Sequence, residues 1–199
     1  MNRYLFPLES PEAGDSNTCG NKAAALSTLI NRGITVPPGF CLTADTYRRF
    51  VEYNRLAGAI VMETARKPLE QMRWEEMWDA SLRIRNAFMR GSLPDDILAS
   101  LEDGLRRWMK GKKLVVRSSS MLEDSSGGSF AGLHESVINI ADFKGLTEAV
   151  IGVWASLWSD AVFSYAKELG IEEKDSSMAV VVQEMIEGER SGVAFGRNP

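Results

Sequence analysis

Histidine and cysteine are nearly absent from the 199 residues: there is one histidine, His134, and there are two cysteines, Cys19 and Cys41. A multi-histidine metal centre within the chain is thereby excluded, as are a disulfide framework and a cysteine-only zinc site. Neither cysteine has the charged partner pattern of a reactive thiol, and the lone histidine, at the entry to an apolar segment, reads as structural or surface. No stretch approaches the roughly 20 apolar residues of a membrane-spanning helix. The opening MNRYLFPLESPEAGD lacks the basic-then-apolar layout of a secretory leader, so the expected compartment is the cytoplasm. Excess positive charge is missing too. With 27 acidic against 23 basic residues the formal net charge is −4, which argues against a whole-surface attraction to nucleic acid or to an anionic membrane.

What is present is an ordinary globular mixture, 44% hydrophobic, 25% charged and 9% aromatic, long enough for one domain or two small ones around a sizeable core. Met1 to Asn17, broken by Pro7, Pro11 and Gly14, reads as an extended lead-in. Gly20-Asn21-Lys22 opens a helical run with Ala23, Leu26, Leu29 and Ile30 on one face, stopped at Gly33. A short strand, Phe40 to Leu42, follows Pro37-Pro38-Gly39, and Thr43 is placed to cap a helix carrying Tyr47, Phe50 and Val51. Ala57 to Pro68 fits no single pattern. Arg73 to Arg90 puts Trp74, Met77, Trp78, Leu82 and Ile84 along one side, and these aromatic and leucine periodicities read as core. A further helix follows Pro94, with Ile97, Leu98, Leu101, Leu105 and Trp108 in phase and Gly111 as its end.

The second half changes character. Lys113 to Arg117 reads as a strand. The Ser- and Gly-rich stretch Ser118 to Gly132 reads as irregular. His134 to Ile140 alternates, with Val137 and Asn139 on one face and Ile138 and Ile140 on the other. Asp142 is placed to cap a long helix carrying Phe143 through Trp158, and after a polar stretch Met178 to Ile186 is the strongest strand in the chain. A turn at Gly188-Glu189 would send Ser191 to Phe195 back as a hairpin. There is no internal repeat and no obvious linker. The expected class is α+β: helices first, then a mainly antiparallel sheet with a helix inserted.

Three segments carry candidate chemistry. Gly20-Asn21-Lys22 combines a freely turning residue, a helix N-terminus with its unpaired amides and a cation, which together suit phosphate; the spacing is not that of a Walker A loop. The bland alternative is a solvated lysine at an ordinary helix start. Arg117 ends an apolar strand and can present its planar fork to phosphate oxygens, or it can simply pair with Glu123 or Asp124. Around it, Leu101 to Arg117 carries six basic against two acidic residues, part of which is a solvated helix face. Ser125 to Ser136, with Gly127, Gly128 and Gly132, allows close backbone approach to an anion and lid-like movement, or is an unligated loop.

In order and spacing, three stretches together resemble the N-terminal nucleotide-binding domain of the phosphoenolpyruvate synthase and pyruvate phosphate dikinase family, which also includes rifampicin phosphotransferase and glucan, water dikinase. They are GNKAAALSTLINRGITVPPGFCLTADTYRRF, LVVRSSSMLEDSSGGSFAGLHESVINI and VVVQEMIEGERSGVAFGRNP. The likeness covers Asn17 to Pro199, with Asn54 to Lys112 contributing little. It implies the first lobe of an ATP-grasp fold. Carried over residue by residue, it implies that Lys22 and Arg117 contact phosphate and act in catalysis, and that Ser129 to Gly132 covers the phosphates with Ser136 nearby. It also implies that Gln183 lies by the nucleotide base, with Glu184 and Met185 as hinge backbone contacts. Departures from the family pattern are Asn21 where a second glycine is common, Ser136 for a threonine, and Gly196 for a threonine.

The resemblance further implies that a second lobe holding the Mg2+ ligands, a phosphohistidine domain and a pyruvate-binding barrel would lie beyond Pro199. His134 is not in the phosphohistidine motif. The parent reaction would pass a phosphoryl group from ATP through a phosphohistidine to pyruvate or another acceptor. These residues alone would be silent, and self-association through the C-terminal strand is expected. Two other parents share the lobe: an antibiotic phosphotransferase and a non-catalytic nucleotide sensor.

Overall fold

The computed structural model describes residues 4–109, 111–120, 135–169, 177–190 and 192. Five strands form one sheet, β1 (Leu5–Pro7), β2 (Gly39–Leu42), β3 (Leu114–Ser119), β4 (Ser136–Ile140) and β5 (Ala179–Glu184), in the order β1-β2-β5-β3-β4, every pair antiparallel. The α+β reading and the antiparallel sheet are therefore correct, but the sheet is not confined to the second half. The lead-in supplies β1 and a 3-10 turn at Pro11–Gly14, because Leu5 and Leu8 have an apolar sheet edge to cover.

The two faces of the sheet take different partners. Residues directly opposite one another in an antiparallel register share a face. Phe40 and Leu42 thus stand with Val180, Val182 and Val116 on one side. That side meets α2 (Ala44–Tyr53), α4 (Trp74–Met89) and α6 (Phe143–Ser156), joined by α3 (Leu56–Thr64), α5 (Asp95–Gly104) and α7 (Asp160–Leu169), in the main core. At its centre Tyr47, Phe50, Phe88 and Trp154 pack ring against ring, with centroids 5.1–6.0 Å apart. Two indoles buried there find acceptors: Trp158 Nε1 donates to the Tyr47 hydroxyl at 2.9 Å and Trp154 Nε1 to the Met178 carbonyl at 3.1 Å. The other face carries Cys41, Val181 and Ala179 and is covered by α1 (Ser16–Asn31) through Cys19 and Ala23.

Several sequence readings are corrected. On α4 the buried stripe is Met77, Ala80, Ile84 and Phe88, whereas Trp74, Trp78 and Leu82 are exposed. Both sets recur at helical spacing, and the neighbouring helices claim the first. Strand β3 runs on through Ser118 and Ser119 rather than stopping at Arg117, since β5 continues beside it as far as Ala179. In β4 the simple alternation fails. Leu114 pairs with Ile140 and Val116 with Val137, so Ile138 and Asn139 together face the single residue Val115. Asn139 takes a left-handed φ of 61° to make this bulge, which returns Val137 and Ile140 to the same, core-facing side. The helix after Asp142 ends at Ser156, and Leu157 and Trp158 lie in the turn before α7, which the sequence reading did not identify. Asp142 does cap α6, its Oδ1 accepting from the Gly145 amide at 2.6 Å. Thr43 sits at the start of α2, yet its hydroxyl bonds Thr46 Oγ1 at 3.2 Å rather than a backbone amide. The return arm of the C-terminal hairpin lies outside the described residues, apart from Gly192.

Candidate phosphate-binding face

Helix α1 is interrupted. Asp15 caps its first turn, accepting from the Asn17 amide at 3.0 Å and the Thr18 hydroxyl at 2.6 Å. Gly20 then leaves the helical region altogether, with φ 74° and ψ 167°, and the helix restarts at Asn21. Only glycine enters that region without strain. The restart sets Ala23 against Cys41 and Val181. It sets Lys22, half-buried, against the end of β3, where its Nζ donates to the Ser118 carbonyl at 2.7 Å and lies 3.4 Å from the Ser118 hydroxyl.

Arg117 reaches the same face from the sheet. Its register partner on β5 is Val181, in the cluster under α1, and its partner on β4 is Ser136. The row Cys41, Val181, Arg117, Ser136 therefore crosses the sheet on one side. Arg117 is half-buried and Ser136 exposed. The other cations near it in sequence are engaged at the surface: Arg106 and Arg107 pair with Asp103, Lys112 with Glu184 and Lys113 with Glu187. That accounts for most of the local excess of positive charge as a solvated face. Among the described residues Arg117 has no such ion pair. Glu123 and Asp124, named as its alternative partners, lie outside the described residues, as do Ser129, Gly132 and His134.

The remaining candidates are distributed differently. Gln183 shares the face of Val181 and Arg117, but it is only 3% exposed and its Nε2 donates to the Pro37 carbonyl at 3.0 Å. Its side chain lies over Gly39, where an added Cβ would fall 2.8 Å from Gln183 Cγ and 2.3 Å from the Val182 carbonyl oxygen. Glu184 stands opposite Leu114, on the main-core side, and its Oε1 meets Lys112 Nζ at 2.7 Å. The amides of Glu184 and Met185 donate to the carbonyls of Pro38 and Lys113 at 3.0 and 2.8 Å, so these two N–H groups are not open donors. The Met185 sulfur accepts from the Asn139 amide at 3.4 Å, which ties the bulge to the segment just after β5.

Burial pushes the Cys41 thiol well above its ordinary range, the neighbouring Cys19 adding to the effect; both cysteines are fully buried, as an inert structural role requires. Among the described residues no group of three or more His, Cys, Asp or Glu side chains converges. No helix of the described residues is long and apolar enough to cross a membrane. The sequence reading missed Ser118 and Ser119, which hold the restarted helix. Their role lies in contacts to a segment about 100 residues earlier, which no local pattern announces.

Known proteins carry the same pattern. Residues 16–199 match the family described as pyruvate phosphate dikinase, AMP/ATP-binding domain. A phosphoenolpyruvate synthase of Aeropyrum pernix is 37% identical over 185 residues, covering 90% of this chain and 22% of its own length. A rifampicin phosphotransferase of Streptomyces sviceus is 32% identical over 199 residues, 99% of this chain and 23% of its own length. A probable phosphoenolpyruvate synthase of Methanothermobacter thermautotrophicus is 31% identical over 204 residues, 100% of this chain and 30% of its own length. The chain thus spans less than a third of the length of these relatives. With the glycine-broken helix, the lysine after it and Arg117 of β3 on one face, and with the family match running over nearly all of its length, the chain belongs to the pyruvate phosphate dikinase AMP/ATP-binding domain family.

Proposed function

We propose that the α1 side of the sheet binds the phosphates of ATP, as the first lobe of an ATP-grasp fold within a phosphoenolpyruvate-synthase-like phosphotransferase. The observation that carries this reading is the meeting of Lys22 with the end of β3, across 96 residues of sequence, beside Arg117 on the same face. Two cations and the Ser136 hydroxyl on one side of a rigid sheet are a donor set for a polyanion. In this reading Lys22 and Arg117 neutralise charge on the transferring phosphates, a contribution that grows as charge develops. The phosphate-covering role that the resemblance gives Ser129 to Gly132 falls on residues outside the described ones.

The deep position of Gln183, with its amide nitrogen spent on Pro37, fits a role in shaping the wall beside the base. Any base contact at Glu184 and Met185 uses groups other than their amide N–H. Mg2+ and the acceptor, pyruvate by way of a phosphohistidine, belong to parts of the parent outside these residues. On this account the 199 residues bind ATP without turning it over.

Titrating the isotopically labelled chain with ATP, with amide and side-chain resonances followed by NMR, tests the site. Shifts centred on Lys22, Arg117 and Ser136 are expected. Shifts centred elsewhere, or none at millimolar ATP, would contradict the reading.

A further inference from the structure

We infer that Ser119 is a positioning residue for Lys22: one hydroxyl, supplied by β3, takes the place of the missing helix cap where Gly20 breaks α1. The inference rests on the phosphate-site reading of Lys22 given above. A helix that restarts at Asn21 leaves its first amides without carbonyl partners one turn earlier, and Gly20, standing where a capping residue would, has no side chain to offer. The Ser119 hydroxyl fills the gap from across the molecule. It accepts from the Ala23 amide at 3.1 Å and donates to the Cys19 carbonyl at 2.7 Å, so a single oxygen joins the residue before the break to a residue after it. Ser119 is fully buried, as are both bonds.

Its neighbours extend the grip. The Ser120 carbonyl accepts from the Asn21 amide at 3.4 Å, and the Ser118 carbonyl accepts from Lys22 Nζ. Three consecutive serines thus hold the backbone on both sides of Gly20 and the ammonium of Lys22. The middle one bridges the break with its side chain. The chemistry requires a group that donates and accepts at once. Alanine at 119 would take the hydroxyl partner from the buried Ala23 amide and leave the Cys19 carbonyl to the weak Cys41 thiol donor at 3.5 Å, so the break would lose the hydroxyl that bridges it from β3. Ser119 itself acts on phosphate through Lys22, by fixing where the restarted helix places the ammonium.

The test is a double-mutant cycle on the chain, with ATP affinity read by calorimetry and amide exchange read by mass spectrometry or NMR. Ser119→Ala is expected to weaken ATP binding about tenfold, the equivalent of one lost buried hydrogen bond, and to speed exchange at Asn21 to Ala23. In a Lys22→Ala background the same change is expected to leave ATP affinity within about twofold, because the group it positions is gone, while the thermal destabilisation persists in both backgrounds. An equal loss of affinity in both backgrounds, or unchanged affinity in Ser119→Ala, would overturn the proposal. If the unaltered chain binds no ATP, the phosphate-site reading falls and the role toward Lys22 falls with it. The exchange measurement then still decides the clamp, since unchanged protection at Ala23 would remove that too. Should Ser119→Ala not fold, Ser119→Cys, similar in size and a weak donor and acceptor, is expected to fold and to show a smaller loss with the same dependence on Lys22.

Discussion

Gly20 and Ser119 approach so closely that a β-carbon built on Gly20 would fall 2.1 Å from the Ser119 carbonyl oxygen and 2.6 Å from its hydroxyl. Backbone on both sides leaves nothing flexible to give way. Gly20→Ala therefore combines strain at φ 74° with displacement of β3 from the restarted helix. Positive-φ strain alone costs about 1–3 kcal/mol, so a loss of at least ~3 kcal/mol is expected by urea unfolding once the clash is added. A loss below about 0.5 kcal/mol would show that the two segments separate freely.

The buried Tyr47 hydroxyl accepts from Trp158 Nε1. Tyr47→Phe keeps the ring packing and removes that acceptor, so it is expected to cost about 1–3 kcal/mol. Trp154→Ala, at the centre of the aromatic cluster, should cost about 3–5 kcal/mol. Trp78→Ala, on the exposed side of α4, should stay within about 0.5 kcal/mol despite removing an equally large side chain. Thermal melts of the three variants check the order, and a Trp78→Ala loss comparable to that of Trp154→Ala would contradict the assignment of faces.

How much of this was legible in the sequence varies with the range of the interaction involved. The apolar runs at Leu114 and Val180 announce strands because they are short, continuous and rich in β-branched valine. On α4 the tryptophans at 74 and 78 mimic a core stripe, and only the placement of α3, α6 and α7 shows that Met77, Ile84 and Phe88 form the buried one. The bulge at Asn139 is set by pairing with β3, not by the alternation of β4 itself. Lys22 and Arg117 were readable as cations in favourable local settings. Ser119 was not, because its role depends on a helix break about 100 residues earlier.

Acid stability offers a local check at the start of α1. The Thr18 hydroxyl, and then the Asn17 amide, hold the Asp15 carboxyl below its ordinary value of 3.8. A depressed folded-state pKa contributes stability that is present above the unfolded value and is lost as pH falls through the folded one. The stability gap between the chain and Asp15→Ala should therefore be constant above about pH 5 and shrink between pH 3.8 and the lower folded value. Thr18→Val, which removes the largest cause, should move the Asp15 titration back toward 3.8 by NMR. Titration of Asp15 at or above 3.8 in the unaltered chain would contradict the capping account.

The central claim is that Lys22 and Arg117 together form a phosphate site, and the affinity series adenosine, AMP, ADP, ATP tests it most directly. Measured by calorimetry on the unaltered chain, on Lys22→Ala and on Arg117→Lys, binding should strengthen with each added phosphate. Both variants should flatten that rise, Arg117→Lys doing so although it keeps the charge, because an ammonium lacks the planar fork. An affinity independent of phosphate number, or a rise that both variants leave intact, would contradict the account.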